Sequence, residues 1–238
     1  MSLPKIVLKT EKIKLPISNK TVEIRPFTVK EQKVMLMTFD DTNDMSVIEA
    51  DSYLLEKFSS IMQSCVVGNL KLEELTPTDF MYLCLKIRSS SVGESQELNY
   101  NCPCGTKVKF NFDLNKIKCE GLKKSYEKNI KVTPEITITL GALTLRDLFN
   151  IKDQSEEDLV IKTVAKTIKK ISDRETVYMT KDVEDQEVEE FVENLPIQTI
   201  QEIEKYQDNM PYLVFREEIE CPDEKRILEV RNFRDFFM

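Results

Sequence analysis

The sequence predicts an α+β fold: mixed helices with short antiparallel β-hairpins, two of them cysteine-bearing, zinc-ribbon-like knuckles. Three observations carry this. Apolar residues recur three and four apart behind Ser/Thr caps, as in helices packed on one face. β-Branched and aromatic runs alternate with polar residues between turn formers, as in half-buried strands. Cys-Pro pairs sit in two such turns, at Cys102-Pro103 and Cys221-Pro222.

Residues 12–27 (KIKLPISNKTVEIRPF) read as a hairpin that turns at Ser18-Asn19-Lys20 and is ended by Pro26. Thr28 and Glu31 form a T-x-x-E capping box for a helix whose apolar face takes in Val34, Met35 and Met37. A second box, Ser46 to Glu49, opens a longer helix with Leu54, Leu55, Phe58, Ile61, Met62 and Cys65 at helical spacing, stopping near Gly68. Thr76-Pro77-Thr78-Asp79 supplies an N-cap, a proline at the first helical position and an acidic first turn. The stripe that follows is Phe80, Leu83, Cys84 and Ile87.

The first cysteine hairpin spans 94–118, and Ile136 and Ile138 mark a half-buried strand broken at Gly141. Thr144 with Asp147, and Ser155 with Asp158, cap two further helices. The second has Leu159, Val160, Val164 and Ile168 as its stripe. ETVYM (175–179) reads as a short strand. Residues 184–209 read as two acidic helices hinged at Pro196, with Phe191, Leu195, Ile200, Ile203 and Tyr206 inward. The charged, Gly/Pro-punctuated stretch 119–134 is the predicted boundary. It gives an N-terminal part, 1–118, and a C-terminal part, 119–238, or one compact domain.

Composition narrows the function classes. The 238 residues are 41% hydrophobic and 32% charged, the balance of a globular chain. No apolar run approaches the ~18 residues of a membrane span, and MSLPKIVLKTEKIK lacks the apolar core of a signal peptide. A reducing compartment is therefore expected, with the six cysteines as thiols or metal ligands and not disulfides. Cys65 and Cys84, in apolar stripes, read as core. A net charge of −8 argues against a nucleic-acid binder. The charge is uneven: eight Lys/Arg against three acids over 1–33, and ten acids against Lys205 alone over 182–209. With no histidine in the chain, Ser-His and Cys-His nucleophiles and His-ligated metals are excluded. No phosphate-binding loop, dinucleotide fingerprint or nucleophile elbow is present, so an enzyme is not expected.

The cysteines raise the one question of chemistry. YNCPCGTKVKFNFDLNKI (100–117) and IECPDEKRILEVRNFRDF (219–236) align at Cys-Pro as a loose pseudo-repeat. Two such hairpins, one thiolate pair from each, build a zinc ribbon. Here the set is thin: Cys102, Cys104 and Cys221, with Asp223 where a fourth ligand would sit and Cys119 as a substitute. The favoured reading is that packing holds both hairpins and no cofactor is bound.

Two stretches go beyond pattern. VEIRPFTVKEQKVML (22–36) and LKIRSSSVGESQELNYNCPCG (85–105) resemble signatures of the T-even-type phage baseplate family, small proteins needed to assemble the central hub of a contractile-tail baseplate. NFRDFF (232–237) is similar to that family's aromatic ending. The resemblance implies a non-enzymatic assembly role in an infected bacterium, as a hub subunit kept in the virion or a chaperone that leaves. Its partners would be other hub or tail proteins, not nucleic acid, a membrane or a small-molecule substrate. It carries over no catalytic residue. It points to Arg25, Phe27 and Arg88 as partner-binding, together with Phe233, Phe236 and Phe237, which otherwise read as core. A zinc-ribbon adaptor for nucleic acid or a transcription complex is the alternative; it predicts bound zinc and a basic hairpin, for which Lys107 and Lys109 are the support. An acid/base hydrolase would need a desolvated carboxylate in a cleft.

Overall fold

A computed structural model describes residues 6–45, 47–102, 104–151, 156–220 and 225–231. The chain divides into two units, residues 1–120 with 212–238, and residues 121–211. Seven α-helices and antiparallel sheets are found among the described residues, so the α+β class holds.

The first unit opens with β1 (Glu11–Lys14) and β2 (Thr21–Ile24), paired antiparallel around a turn in which Asn19 takes the left-handed conformation, φ 56°. α1 (Val29–Asp40) starts at Thr28, whose backbone N–H donates to Glu31 at 2.5 Å. That satisfies one of the orphan donors of the helix start. α2 (Val47–Gln63) buries Leu54, Phe58 and Met62, and ends before Gly68 because Val66–Val67 (β3) pairs with β2. Ser46, the expected cap, lies outside the described residues. α3 (Pro77–Val92) begins as predicted: the Asp79 N–H donates to the Thr76 hydroxyl at 3.2 Å, and Phe80, Leu83, Cys84 and Ile87 are buried. Asp79 itself is fully buried and accepts the backbone N–H groups of Ile17 and Ser18 at 2.8 and 2.9 Å. One carboxylate thus pins the β1–β2 turn to the start of α3.

β4 (Ser95–Asn101) and β5 (Lys107–Asp113) form the first cysteine hairpin, and β6 (Lys118–Glu120) leads out of this unit. Gly121 has φ 76°, and a Cβ there would stand 3.1 Å from Pro211 Cα, so glycine is required where the chain enters the second unit.

In that unit β7 (Lys128–Lys131), β8 (Thr137–Leu140), β9 (Ile168–Ser172) and β10 (Val177–Met179) form an antiparallel sheet in the order β10-β9-β8-β7. α4 (Leu145–Ile151) has the predicted reciprocal box, Thr144 N–H to Asp147 at 2.9 Å and Asp147 N–H to the Thr144 hydroxyl at 3.2 Å. α5 (Glu156–Thr167) departs from expectation. Leu159 and Val160 are exposed, and the helix instead packs Ile161, Val164 and Ala165 inward. The inward set keeps helical spacing and runs on to Ile168, so the apolar face is rotated from the one predicted. Ser155 lies outside the described residues. α6 (Asp185–Glu193) and α7 (Ile197–Asp208) flank Pro196 as predicted. Ile203 and Tyr206 are buried and Phe191, Leu195 and Ile200 pack against the same core.

The chain returns to the first unit through β11 (Tyr212–Glu220) and β12 (Lys225–Val230). Tyr212–Val214 pairs with β6, so the second hairpin belongs with the first unit and not with a continuous 119–238 half. The physical reason is the ladder itself: a strand edge opened at 118–120 is closed 92 residues later, where the Tyr212 hydroxyl reaches Glu120 at 2.9 Å. On the same face Arg216 pairs with Glu120 and, at 2.5 Å, with Glu229, while the Arg231 guanidinium lies 4.4 Å over the Tyr212 ring.

Candidate interaction site

The first signature stretch is built around Glu31. The Arg25 guanidinium donates to it at 2.6 and 3.2 Å, and the Thr28 and Ser64 hydroxyls donate at 2.8 and 2.9 Å. Arg25 also donates to the Pro26 carbonyl at 2.9 Å, and its backbone N–H to the Cys65 carbonyl at 2.9 Å. The guanidinium beside Glu31 holds its carboxyl at about 2, and the same pairing raises Arg25. Arg25 therefore spends its charge inside the fold, fixing the entry to α1.

Phe27 ties the two signature stretches together. Its backbone N–H donates to the Ser91 hydroxyl at 2.9 Å, and Ser91 donates in turn to the Ile87 carbonyl at 2.5 Å. The contact sets the side of α1 along the end of α3. Between them lies a cavity of about 550 Å³, with Phe27, Met35, Leu36, Phe39, Phe58 and Val92 as its apolar wall. Arg88 also lines it, and burial lowers its guanidinium from the ordinary value. Of the predicted partner-binding residues, Phe27 and Arg88 meet at this groove and Arg25 stands behind it. Phe233, Phe236 and Phe237 lie outside the described residues.

α1 carries more apolar surface than one buried face uses. Met35 and Thr38 are buried, but Val29, Val34 and Met37 are 81%, 44% and 57% exposed. At roughly 100° per residue those three fall within an arc of about 140°, while the groove-lining Gln32, Met35, Leu36 and Phe39 occupy an adjoining arc of about 100°, whose Leu36 is itself 59% exposed. The expectation that Val34 and Met37 share the buried face with Met35 is thus corrected. The signal was present in the sequence, since a helix with apolar residues at 29, 34–37 and 39 is apolar around most of its circumference.

The cysteine hairpins meet through their strands. Phe112 and Phe215, both fully buried or nearly so, stand 4.5 Å apart at their ring centroids, with Phe110 at 6.2 Å from Phe215. Leu85, Leu114 and Leu213 complete the cluster, and Val230 packs against it. Cys102 is buried in its turn, where its N–H donates to the Thr106 carbonyl at 2.9 Å, and Cys104 is half-buried. Cys221 and Asp223 lie outside the described residues. Among the described residues no three Cys, Asp or Glu side chains are grouped to hold a metal. Cys119, the substitute ligand, instead packs against the apolar cluster, and burial pushes its thiol up to about 11. Cys119 is half-buried against that cluster, while Cys65 and Cys84 are buried in the core. Asp79, the one buried carboxylate among the described residues, is committed to backbone amides.

A family described as T4 bacteriophage base plate protein matches residues 8–238. The chain belongs to that family. The two signature stretches joined by Phe27 and Ser91 therefore sit inside a match covering nearly the whole baseplate protein. No curated protein and no solved structure gave a significant match. Among the described residues no helix is long and apolar enough to cross a membrane.

Proposed function

We propose that this baseplate protein works without catalysis, in assembly of the central hub, through contacts with other hub or tail proteins. The reading rests on family membership and on one observation that gives it a surface: the exposed arc Val29, Val34 and Met37 of α1. Apolar residues grouped on one solvent-facing side of a helix are the anchor pattern of helix-mediated recognition. Lys30 and Lys33, exposed within the same arc at roughly 100° per residue, favour carboxylates interspersed with apolar groups on the protein that docks. The setting is the host cytoplasm during tail assembly, with the protein kept in the virion or released. Packing, not metal, joins the two cysteine hairpins in this reading, supported by the Phe110/Phe112/Phe215 cluster. The nucleic-acid adaptor gains little, because Lys109 is paired with Glu97 at 2.8 Å. Affinity isolation from infected cells, comparing the natural chain with the double variant Val34→Ser, Met37→Ser, tests the proposal. Loss of co-isolated baseplate proteins from a folded variant is the expected result.

A further inference from the structure

We infer that the open edge of β1, with the residues 6–10 that lead into it, pairs antiparallel with the same segment of a second copy of this chain. The sheet order β1-β2-β3 leaves β1 on the outside. Its ladder to β2 begins at Glu11, opposite Ile24. In that register Lys9 would face Pro26, which has no N–H to give, so the chain before Glu11 has no strand to join on β2. Ile6 and Val7 are left 89% and 91% exposed, more than any other large apolar residue among those described.

The ladder fixes which groups the edge offers. The Leu15 N–H donates to the Lys20 carbonyl at 2.9 Å, and the Arg25 N–H turns away from β1 to the Cys65 carbonyl at 2.9 Å. Leu15, Ile13 and Glu11 therefore bond toward β2, while Lys14 and Lys12 turn their N–H and C=O groups outward. Continued through 6–10, the same alternation turns Thr10, Leu8 and Ile6 outward. Even-numbered residues must then meet even-numbered residues of an antiparallel copy, which leaves few registers.

Charge selects one of them. A two-fold pair centred on Lys9, Glu11, Lys12 or Lys14 sets that residue against itself, and one centred on Ile13 sets Lys12 against Lys14. Like charges directly opposite are unfavourable. A pair centred on Thr10 sets Lys9 against Glu11 of the second copy, twice by symmetry. Of these centres it alone opposes no like charges. Val7 then stands opposite Ile13, on the side of the strand that carries Ile13 and Leu15 into the core. Lys12, opposite Leu8, is already balanced by Glu23 across the ladder in β2. Even residues from 6 to 14 supply about ten backbone hydrogen bonds, the source of affinity when a strand adds to a sheet edge. Exposed lysines guard an edge against strands at large; the self-complementary Lys9 and Glu11 admit this one. Because the same patch serves both copies, the contact closes as a dimer and leaves no open edge of β1.

Sedimentation equilibrium of the full chain over roughly 1 µM to 1 mM tests this. The natural chain is compared with Lys9→Glu, Glu11→Lys and Thr10→Pro. The natural chain is expected to form dimers, and each charge variant alone to weaken them roughly tenfold or more. An equimolar mixture of Lys9→Glu with Glu11→Lys should restore dimers, since every acidic position then meets a basic one. Thr10→Pro removes the central outward N–H, which β2 does not use, and should weaken the dimer with circular dichroism unchanged; it decides alone if a charge variant fails to fold. A natural chain that stays monomeric throughout overturns the inference, even if another baseplate protein proves to pair with this edge. So does a dimer that the folded variants leave intact, or one that the mixture does not restore. None of these changes touches Val34 or Met37, so failure here and failure of the hub reading are told apart.

Discussion

Replacing Phe215 by alanine tests whether packing joins the two cysteine hairpins. The ring is fully buried, 4.5 Å from Phe112 and 6.2 Å from Phe110 at the centroids, and it joins β11 to β5 beside Leu85 of α3. Buried Phe→Ala changes cost about 3–5 kcal/mol through lost transfer energy and the cavity left behind. Two ring contacts place Phe215→Ala in the upper half of that range, about 4 kcal/mol. For a unit of this size each kcal/mol lowers the melting temperature by about 2–4 °C, so the loss is about 8–16 °C. A metal would reverse the ranking. A structural zinc site contributes on the order of 10 kcal/mol, so chelator would then outweigh any single ring deletion. The assay is urea and thermal unfolding by far-UV circular dichroism, with and without EDTA. The expected result is the Phe215→Ala loss with a chelator effect below about 1 kcal/mol, within the range of small surface perturbations. A chelator-induced collapse, or a Phe215→Ala loss under about 1 kcal/mol against the usual core cost, would refute the reasoning.

Two further predictions concern the signature stretches and the turn they rest on. Asp79→Ala leaves the backbone N–H groups of Ile17 and Ser18 without their acceptor, at about 1.5–3 kcal/mol for each charge-assisted bond. Asp79→Asn keeps one acceptor oxygen and loses about half as much; hydrogen exchange at Ile17 reads both. Glu31 is held at about 2 against an ordinary value near 4.5 by Arg25 and its hydroxyl and amide donors. A depressed carboxylate contributes its full stability above the ordinary value and loses it as pH falls toward 2. Unfolding curves across that window should therefore show an acid slope that Glu31→Gln flattens, with about 1–2 kcal/mol lost at neutral pH.

What could be read in the sequence was local. The caps at Thr28, Thr76 and Thr144 are set by side chains three residues apart, and all three form. The hairpins at Asn19 and around Gly105 have turn residues the backbone needs, with φ 56° and 85°. What escaped was non-local or carried no period. β7 has one apolar residue, Ile130, in KNIK, and β9 follows α5 without a breaker, so neither announces itself. The β6–β11 ladder joins residues 92 apart and decides the division into units. At the candidate site the residue types were legible, and Phe27 and Arg88 do meet at a groove. Period alone could not say which arc of α1 is covered, because that depends on how α2 and α3 pack around it. Arg25, which the family resemblance points to as a docking residue, is paired with Glu31.

The most direct test of the central claim is quantitative mass spectrometry of complexes isolated on the tagged protein from infected cells, natural chain against Val34→Ser, Met37→Ser. Loss of two apolar anchors at about 1–2 kcal/mol each predicts a fall of roughly tenfold or more in co-isolated baseplate proteins, with circular dichroism unchanged. Equal recovery of the same baseplate proteins with both chains would contradict the claim that this face of α1 brings the protein into the baseplate.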